Sequence, residues 1–249
     1  MTDASPATAV QLPLGVRLAD AATLDAFEPM ADASALAWLR ARLDALAERR
    51  GGPERGWLWG AAGSGRSHLL QGACHEVVER GGRAIYLTAR VIAADPEAAL
   101  AELERCDAVA VDDVDAFVGR PDAELALFDL CNRMAGAGQR PTLLLFAAAA
   151  APLACGFRLA DLASRLAAAT VFRLPGLDDA GRGRALRRRA QRRGIELEAR
   201  TVDYILARFP RDPHALFALL DDLDLASLSA QRRVTVPFVR ELLEQRGRP

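Results

Sequence analysis

The stretch from Trp57 to Leu70, WLWGAAGSGRSHLL, constrains the fold more than any other part of the chain. It opens with a short apolar run typical of a buried strand and closes with a segment typical of a helix. Between them, Gly60 to Ser67 matches the P-loop pattern G-x-x-x-x-G-K-[ST] at both glycines and the final serine, with Arg66 in place of the lysine. This order of strand, glycine-rich loop and helix predicts a phosphate-binding site.

In a P-loop, backbone N–H groups and the positive end of the following helix surround phosphate oxygens. The hydroxyl group of the last residue, here Ser67, is a ligand for Mg²⁺. The competing interpretation is a glycine turn with a purely structural role. The loop residues predicted to bind a nucleotide are Gly60, Ala61, Ala62, Gly63, Ser64, Gly65, Arg66, Ser67 and His68.

Apolar, strand-like runs alternate with helical segments through the first two thirds of the chain. This alternation predicts an α/β fold with a parallel five-stranded sheet flanked by helices. The predicted strands are 57–59, 83–88, 107–113, 142–148 and 170–174, and the main predicted helices are 36–46, 68–80, 96–105, 124–134 and 161–167. Such sheets bind ligands at the carboxyl ends of their strands, where the P-loop would lie.

After Pro175-Gly176 the pattern becomes helical, with predicted helices at 179–193, 201–208, 213–227 and 237–245. We therefore predict three units: a flexible tail (1–18), a nucleotide-binding domain (19–175) and a small helical domain (176–249). The first helix of the last unit is rich in arginine, at Arg182, Arg184, Arg187, Arg188, Arg189, Arg192 and Arg193. A basic helix can bind nucleic acid or an acidic partner. Because no aromatic residues interleave to stack on bases, we interpret it as a solvated face.

Two acidic residues end the third apolar run. Asp112 and Asp113 have the spacing of a Walker B element, in which the first carboxylate holds Mg²⁺ through water and the second orients or activates the attacking water. The competing interpretation is a pair of exposed turn aspartates. Asp115 lies too far along the chain for either role, and we expect it at the surface.

Two features make nucleotide binding better supported than hydrolysis. Arg66 is planar and forked, whereas the P-loop lysine is a compact charge between the β- and γ-phosphates. The fourth strand should end in a polar residue that helps to place the attacking water, but Phe146 is followed by alanines through Ala151.

Two further segments carry candidate functions. In the tail, Gln11 precedes Leu12, Leu14 and Val16, a pattern that suits an extended peptide docked in a partner's groove or an edge strand of this fold. Arg165 lies just before the fifth strand, where an arginine can reach a neighbouring subunit's nucleotide. An alternative interpretation, equally well supported, is that Arg165 forms an ion pair on the surface of its helix.

Composition excludes several classes of protein. The net charge of -1 gives no overall attraction to nucleic acid or membranes, and all 32 basic residues are arginine. The N-terminus does not resemble a signal peptide, and no apolar run is long enough to span a bilayer. The four cysteines, Cys74, Cys106, Cys131 and Cys155, show no metal spacing. We expect reduced thiols in a cytoplasmic protein.

Together these segments resemble the AAA+ ATPases, and within them the family that contains the replication initiator DnaA and the DnaA regulatory inactivator Hda. The resemblance covers roughly Gln11 to Leu243. It is carried by GRSHLL, FDLCNR, DLASRL and AQRRVTVPFVRELL, which begin at Gly65, Phe128, Asp161 and Ala230. Arg66 in the P-loop is itself similar to the inactivator subfamily.

The resemblance implies a negative regulator of DNA replication initiation. QLPLGV would bind the DNA polymerase III β sliding clamp, so that the protein meets DNA only indirectly. Arg165 would be an arginine finger that stimulates hydrolysis of the ATP held by DnaA and so prevents reinitiation. The protein's own P-loop would hold ADP or ATP, with Mg²⁺ as a possible companion, and homo-oligomers are possible.

This chain departs from the family pattern at two positions. His214 stands where the family has its sensor 2 arginine, and Ala148 stands where a polar sensor 1 residue is expected. A neutral histidine has no fixed charge, so weaker nucleotide binding and weaker turnover are expected. Two alternatives remain: an autonomous AAA+ ATPase such as a helicase loader or remodeller, and an adaptor whose P-loop is vestigial.

Overall fold

The computed structural model describes residues 22–27, 33–136, 140–210 and 212–246. The strands are β1 (Pro53–Trp59), β2 (Ala84–Thr88), β3 (Ala108–Asp112), β4 (Thr142–Ala148) and β5 (Thr170–Arg173). The helices are α1 (Ser34–Ala47), α2 (Arg66–Glu79), α3 (Ala89–Ile92), α4 (Pro96–Leu100), α5 (Pro121–Gly136), α6 (Pro152–Cys155), α7 (Ala160–Ala167), α8 (Asp179–Arg192), α9 (Ala199–Arg208), α10 (Pro213–Ala230) and α11 (Val236–Arg246). Within these described ranges, no helix combines the length and the apolar character needed to cross a bilayer.

The five strands form one parallel sheet in the order β2-β3-β4-β1-β5, which confirms the predicted α/β class. The order separates β1 from β3, because β4 pairs with both of them. Trp59 is paired with Ala148, so β1 and β4 end side by side, and Thr88 on β2 is paired with Asp112 on β3. The P-loop, the end of β4 and Asp112 therefore share one edge of the sheet.

The sheet is covered on both faces, which explains why its strands read as continuous apolar runs. Successive side chains on a strand point to opposite faces. Trp57 therefore packs on the α5 side, with its ring centroid 5.9 Å from that of Phe146. Its neighbour Leu58 packs on the other side, in the cluster that contains Leu39 of α1 and Leu70 of α2.

The helix predicted over 96–105 is wrong as a continuous element. The helix α4 ends at Leu100, Glu102 adopts a left-handed φ of 58°, and a short 3₁₀ turn follows at 103–105. Arg133 of α5 explains the break, because its Nη2 donates to the carbonyl of Leu100 at 2.6 Å and its Nε donates to Glu104 at 3.1 Å. This tertiary contact satisfies the carbonyl that a continuing helix would have used.

The last four helices, α8 to α11, form the predicted helical region. They enclose a separate apolar cluster that includes Leu186, Ile205, Leu219 and Val239, all essentially inaccessible to solvent. The predicted boundaries of the three units stay a prediction, and the tail 1–18 lies outside the described residues. The helical region faces the edge of the sheet where the P-loop lies, and it forms one wall of the cavity described next.

Candidate functional site

The P-loop backbone is held in a conformation that requires glycine at two positions. A Cβ atom at Gly60 would lie 2.2 Å from the carbonyl oxygen of Leu174. Gly65 has a φ of +91°, and a Cβ atom there would lie 2.6 Å from Cε2 of Phe27. The loop is therefore packed tightly against the chain on both sides, and its shape follows from the two glycines that the sequence pattern identified.

Two polar atoms of this loop are buried and have no protein partner among the described residues. They are Oγ of Ser64 and Nη1 of Arg66. Buried polar groups are normally paired, and an orphaned group costs free energy. A donor hydroxyl and a guanidinium N–H at the start of a helix suit an anionic ligand. The loop residues therefore fit the phosphate groups of a nucleotide.

The two predicted Mg²⁺ ligands are linked by a tyrosine that the sequence analysis did not identify. Tyr86 on β2 donates its hydroxyl proton to Oδ2 of Asp112 at 2.6 Å, and the side chains of Ser67 and Gln71 hydrogen-bond to the same hydroxyl. Burial, followed by the neighbouring Asp112 carboxylate, raises the pKa of Tyr86. The tyrosine therefore stays protonated and holds the Asp112 carboxylate in a fixed orientation.

Asp113 points toward the P-loop, as its predicted role requires. It adopts a left-handed φ of 54°, and its Oδ1 lies 3.5 Å from Nη2 of Arg66. Partial burial, and then the adjacent Asp112 charge, raise the pKa of Asp113, whereas Arg66 acts in the opposite direction. The pair is thus not a simple turn of two exposed aspartates: Asp112 is 1% exposed, and the more accessible Asp113 lines the cavity next to the P-loop.

The end of β4 has no polar side chain of its own, as expected from the alanine run. Ala147 and Ala148 are fully buried. Asp115, which we expected at the surface, is partly exposed, and its Oδ2 accepts a hydrogen bond from the backbone N–H of Ala149 at 3.2 Å. The carboxylate nearest to this strand end therefore comes from the turn after β3, and it is already bonded to backbone.

A cavity of about 550 Å³ lies between the P-loop and the helical region. The helical region contributes Arg189 of α8 together with Phe217, Ala218 and Asp221 of α10. The Arg189 guanidinium carbon lies 4.7 Å from the centre of the Phe217 ring, and its Nη2 lies 3.9 Å from the Asp221 carboxylate. A ligand in this cavity would contact both parts of the fold.

The segment 22–27, which we call the strap, joins the P-loop helix to α8. The carbonyl of Thr23 lies 2.8 Å from Nε2 of His68, and Arg192 donates to the hydroxyl of Thr23 at 2.7 Å. Arg188 donates to the carbonyl of Phe27 at 3.2 Å. Burial, and then the nearby arginines of α8, lower the pKa of His68, so its ring is neutral near pH 7.

The strap contacts refine the interpretation of the arginine-rich helix as a solvated face, because Arg184, Arg187, Arg188 and Arg192 are exposed. Three of its arginines, Arg188, Arg189 and Arg192, contact the strap or the cavity wall. Arg187 is exposed, as that interpretation required. The side chain of His214 and the candidate docking residues Gln11, Leu12, Leu14 and Val16 lie outside the described residues.

Arg165 stands in the last turn of α7 and is not among the residues that line the cavity. It is exposed, and no described residue accepts a hydrogen bond from it or forms an ion pair with it. The neighbouring leucines Leu162 and Leu166 are fully buried, so the opposite face of α7 is fixed in the core. The structure therefore does not support the alternative of a surface ion pair within the described chain.

The remaining candidate groups are the four cysteines and the predicted metal ligands. Cys74, Cys106 and Cys131 are buried free thiols, and Cys155 is a partly exposed one. Among the described residues, no three His, Cys, Asp or Glu side chains come together as a metal site. A metal ion at Ser67 and Asp112 would therefore need ligand oxygens from a nucleotide or water.

Comparison with known proteins identifies relatives of this chain. Residues 179–243 match the family model described as the lid domain of Hda. An uncharacterised protein of Haemophilus influenzae is 37% identical over 235 residues, which is 94% of this chain and 98% of that protein. The match thus extends well beyond the helical region.

Solved structures show the same architecture. Domain III of the Thermotoga maritima replication initiation protein DnaA superposes with a TM-score of 0.72 at 21% identity, covering 94% of this chain and all of that one (100%). AMPPCP-bound DnaA from Aquifex aeolicus gives a TM-score of 0.65 at 20% identity, covering 85% and 68%. The RuvB Holliday junction branch migration motor of Thermotoga maritima gives 0.63 at 16% identity, covering 89% and 73%. The chain belongs to the Hda-like family of DnaA-related AAA+ proteins.

Proposed function

We propose that this protein is a negative regulator of DNA replication initiation that stimulates hydrolysis of the ATP bound to DnaA. The observation that carries the proposal is Arg165, an exposed arginine without a described partner on a helix whose other face is locked in the core. No described residue forms an ion pair with this cation. It is available to a nucleotide held by another molecule.

The proposed mechanism is electrostatic. An arginine finger supplied in trans stabilises the charge that spreads over the transferring phosphoryl group, which contributes on the order of 10³–10⁵ in rate. The planar guanidinium offers forked donors to phosphate oxygens and stays charged at every physiological pH. Conversion of DnaA-bound ATP to ADP then switches the initiator off and prevents reinitiation.

The protein's own P-loop is proposed to hold ADP or ATP as a regulatory ligand. The backbone between Gly60 and Ser67 would bind the phosphates, and Arg66 would contribute a buried cation. Bound Mg²⁺ would neutralise phosphate charge, with Ser67 and Asp112 as its protein ligands through oxygen or water. The side chain of His214 is proposed to lie at the same site.

A second candidate, an autonomous AAA+ ATPase such as a helicase loader or remodeller, is favoured by Asp113. This residue faces the cavity at the position of a water-activating carboxylate. Two features argue against turnover: one oxygen of Asp113 is engaged by Arg66, and the alanine end of β4 offers no polar side chain to place water. Steady-state hydrolysis by the purified protein alone, lost in Asp113→Ala, would favour this candidate.

The tail is proposed to tether the protein to its site of action. Gln11, Leu12, Leu14 and Val16 would bind the β sliding clamp of DNA polymerase III. The clamp encircles DNA, so the protein would need no DNA contact of its own. The near-neutral charge of the chain agrees with this arrangement.

The proposal is tested by hydrolysis of ATP on DnaA in the presence of DNA-loaded clamp and this protein. Arg165→Ala is expected to reduce the stimulated rate by about 10³-fold or more. Arg187→Ala is the matched control, because it also removes an exposed arginine from a helix. Equal stimulation by Arg165→Ala and the wild type would overturn the proposal.

The tether is tested separately. The double variant Gln11→Ala/Leu14→Ala should fail to bind the clamp and should need a much higher protein concentration for the same stimulation. With the clamp omitted, the variant and the wild type should behave alike. A difference that persists without the clamp would place these residues in another role.

A further inference from the structure

Glu124 is a buried carboxylate whose hydrogen-bond donors, among the described residues, are backbone N–H groups. It lies in the first turn of α5 and is 2% exposed. Its Oε1 accepts the N–H of Gly119 at 2.8 Å, and its Oε2 accepts the N–H groups of Arg158 at 2.9 Å and Leu159 at 2.7 Å. One side chain thus connects the start of α5 to the segment that leads into α7.

The bonds from Glu124 hold backbone N–H groups at the start of α7. The N-cap of the helix is Leu159, whose side chain makes no capping hydrogen bond. The first N–H groups of a helix have no partner within it, so they need an acceptor from elsewhere. Glu124, from a different helix, accepts the N–H of the N-cap residue Leu159 and that of Arg158 just before it. Its negative charge lies near the positive end of the α7 dipole.

The charge of Glu124 is maintained by these bonds. Burial on its own would raise the pKa of this carboxyl, but the N–H groups of Leu159, Gly119 and Arg158 outweigh that effect. The pKa of Glu124 lies below its ordinary value as a result. The carboxylate is therefore ionised over the whole physiological range.

The position of Arg165 depends on how α7 is held. The helix runs only from Ala160 to Ala167, and Arg165 stands in its last turn. Leu162 and Leu166 fix one face of the helix in the core. Such apolar contacts are not directional, whereas the bonds from Glu124 fix the helix start along its axis and about it.

We propose that Glu124 is a positioning residue for Arg165. By holding the start of α7, it sets the direction in which the Arg165 guanidinium projects toward the nucleotide of a partner. This inference rests on the proposed function of Arg165. A displacement of about 1 Å at a reacting centre can cost on the order of 10²-fold in rate, so a loose α7 would matter even if the protein stays folded.

The test compares Glu124→Ala and Glu124→Gln in the DnaA hydrolysis assay with loaded clamp. Glu124→Ala should lower the maximal stimulated rate by about 10–100-fold, with little change in the protein concentration that gives half of the effect. Glu124→Gln keeps one oxygen acceptor for Arg158 and Leu159, so it should retain more activity than the alanine variant. Asp122→Asn, an exposed acid in the same helical turn, is the matched control.

A double variant separates positioning from general loss of structure. If Glu124 acts through Arg165, Glu124→Ala/Arg165→Ala should be no slower than Arg165→Ala alone. ADP binding at the P-loop should be equal in all these variants. If Glu124→Ala does not fold, Glu124→Gln carries the same comparison.

Several results would overturn the inference. They are wild-type rates in both Glu124 variants, equal losses in both variants, a further loss in the double variant, or a parallel loss of ADP affinity. Failure of the proposed function looks different, because Arg165→Ala would then stimulate as well as the wild type.

Discussion

The nucleotide cavity and the α7 corner, which comprises α7 and the first turn of α5 that holds it, present their arginines in opposite ways. Arg66 in the cavity is 13% exposed and pairs with Asp113. Arg165 at the corner is exposed and has no ion-pair partner in the described part of the chain. Under the proposed function, Arg66, with its orphaned N–H, binds a ligand of its own chain. Arg165, which stands at the surface, acts on the nucleotide of another molecule.

The same contrast extends to the surrounding structure. The cavity is lined by residues from three stretches of chain: Ala22 of the strap, the P-loop unit and the helical region. Closing it on a ligand would therefore change how these stretches pack. In the α7 corner, Glu124 holds the start of α7 and buried leucines hold its inner face, so a substitution in the cavity should leave the position of Arg165 unchanged. Variants of one region should leave the other unaffected, and this separation can be tested.

The largest effect is expected at Gly60. In Gly60→Ala the new methyl group would lie 2.2 Å from the Leu174 carbonyl, so the loop must move. Such overpacking costs about 1–3 kcal/mol, so we expect ADP affinity, measured by calorimetry, to fall by up to about 150-fold. Gly52→Ala is the control, because that position has open space. Unchanged ADP binding in Gly60→Ala would mean that the loop does not hold the nucleotide.

A smaller loss is expected at Arg66. Hydrogen bonds to charged groups contribute about 1.5–3 kcal/mol, so Arg66→Ala should weaken ADP binding by roughly 10–100-fold. Arg90→Ala removes an exposed arginine elsewhere and should have no effect. At saturating ADP, Arg66→Ala should still stimulate DnaA normally. A loss of stimulation that ADP cannot restore would break the separation of the two regions.

The α7 corner should show its own pH dependence. Since the pKa of Glu124 is lower in the folded protein than in the unfolded one, its stabilising effect is present above the unfolded value of about 4.3 and disappears as pH falls through the folded value. The wild type should therefore be more stable than Glu124→Gln near pH 6–7, and the difference should shrink below about pH 4. Urea unfolding at several pH values measures it. A difference independent of pH would contradict the ionised, hydrogen-bonded carboxylate.

The smallest effect is expected at the strap. Thr23→Ala removes the acceptor of Arg192 but leaves the Thr23 carbonyl contact with His68 in place. An exposed hydrogen bond of this kind is worth about 0.5–1.5 kcal/mol or less, so ADP affinity should fall only a few-fold. Thr170→Ala, at an exposed position on β5, is the control. Wild-type affinity in Thr23→Ala would show that the strap closes the cavity without this bond.

The parts of the molecule that can be predicted from sequence are those determined by local pattern. The P-loop is recognisable because its glycines and Ser67 stand at a fixed spacing between a strand and a helix. The five strands are recognisable because burial on both faces leaves continuous apolar runs. Asp112 and Asp113 are placed at the end of β3 for the same reason.

The parts that cannot be predicted depend on residues distant in sequence. Tyr86 and Asp112 are 26 positions apart, and Glu124 and Leu159 are 35 positions apart. The break after α4 follows from Arg133, 33 positions beyond Leu100. Periodicity carries no information on such contacts, so it predicts the helix over 96–105 wrongly and gives no sign of the role of Glu124.

The central claim is that the P-loop of this chain holds nucleotide while hydrolysis takes place on a partner through Arg165. The most direct measurement places labelled ATP on one protein at a time, either on DnaA or on this chain, in single-turnover reactions with loaded clamp. The account predicts fast release of labelled phosphate from DnaA that is lost in Arg165→Ala, and no comparable release from this chain. Fast release from ATP held by this chain, unchanged in Arg165→Ala and lost in Asp113→Ala, would contradict it.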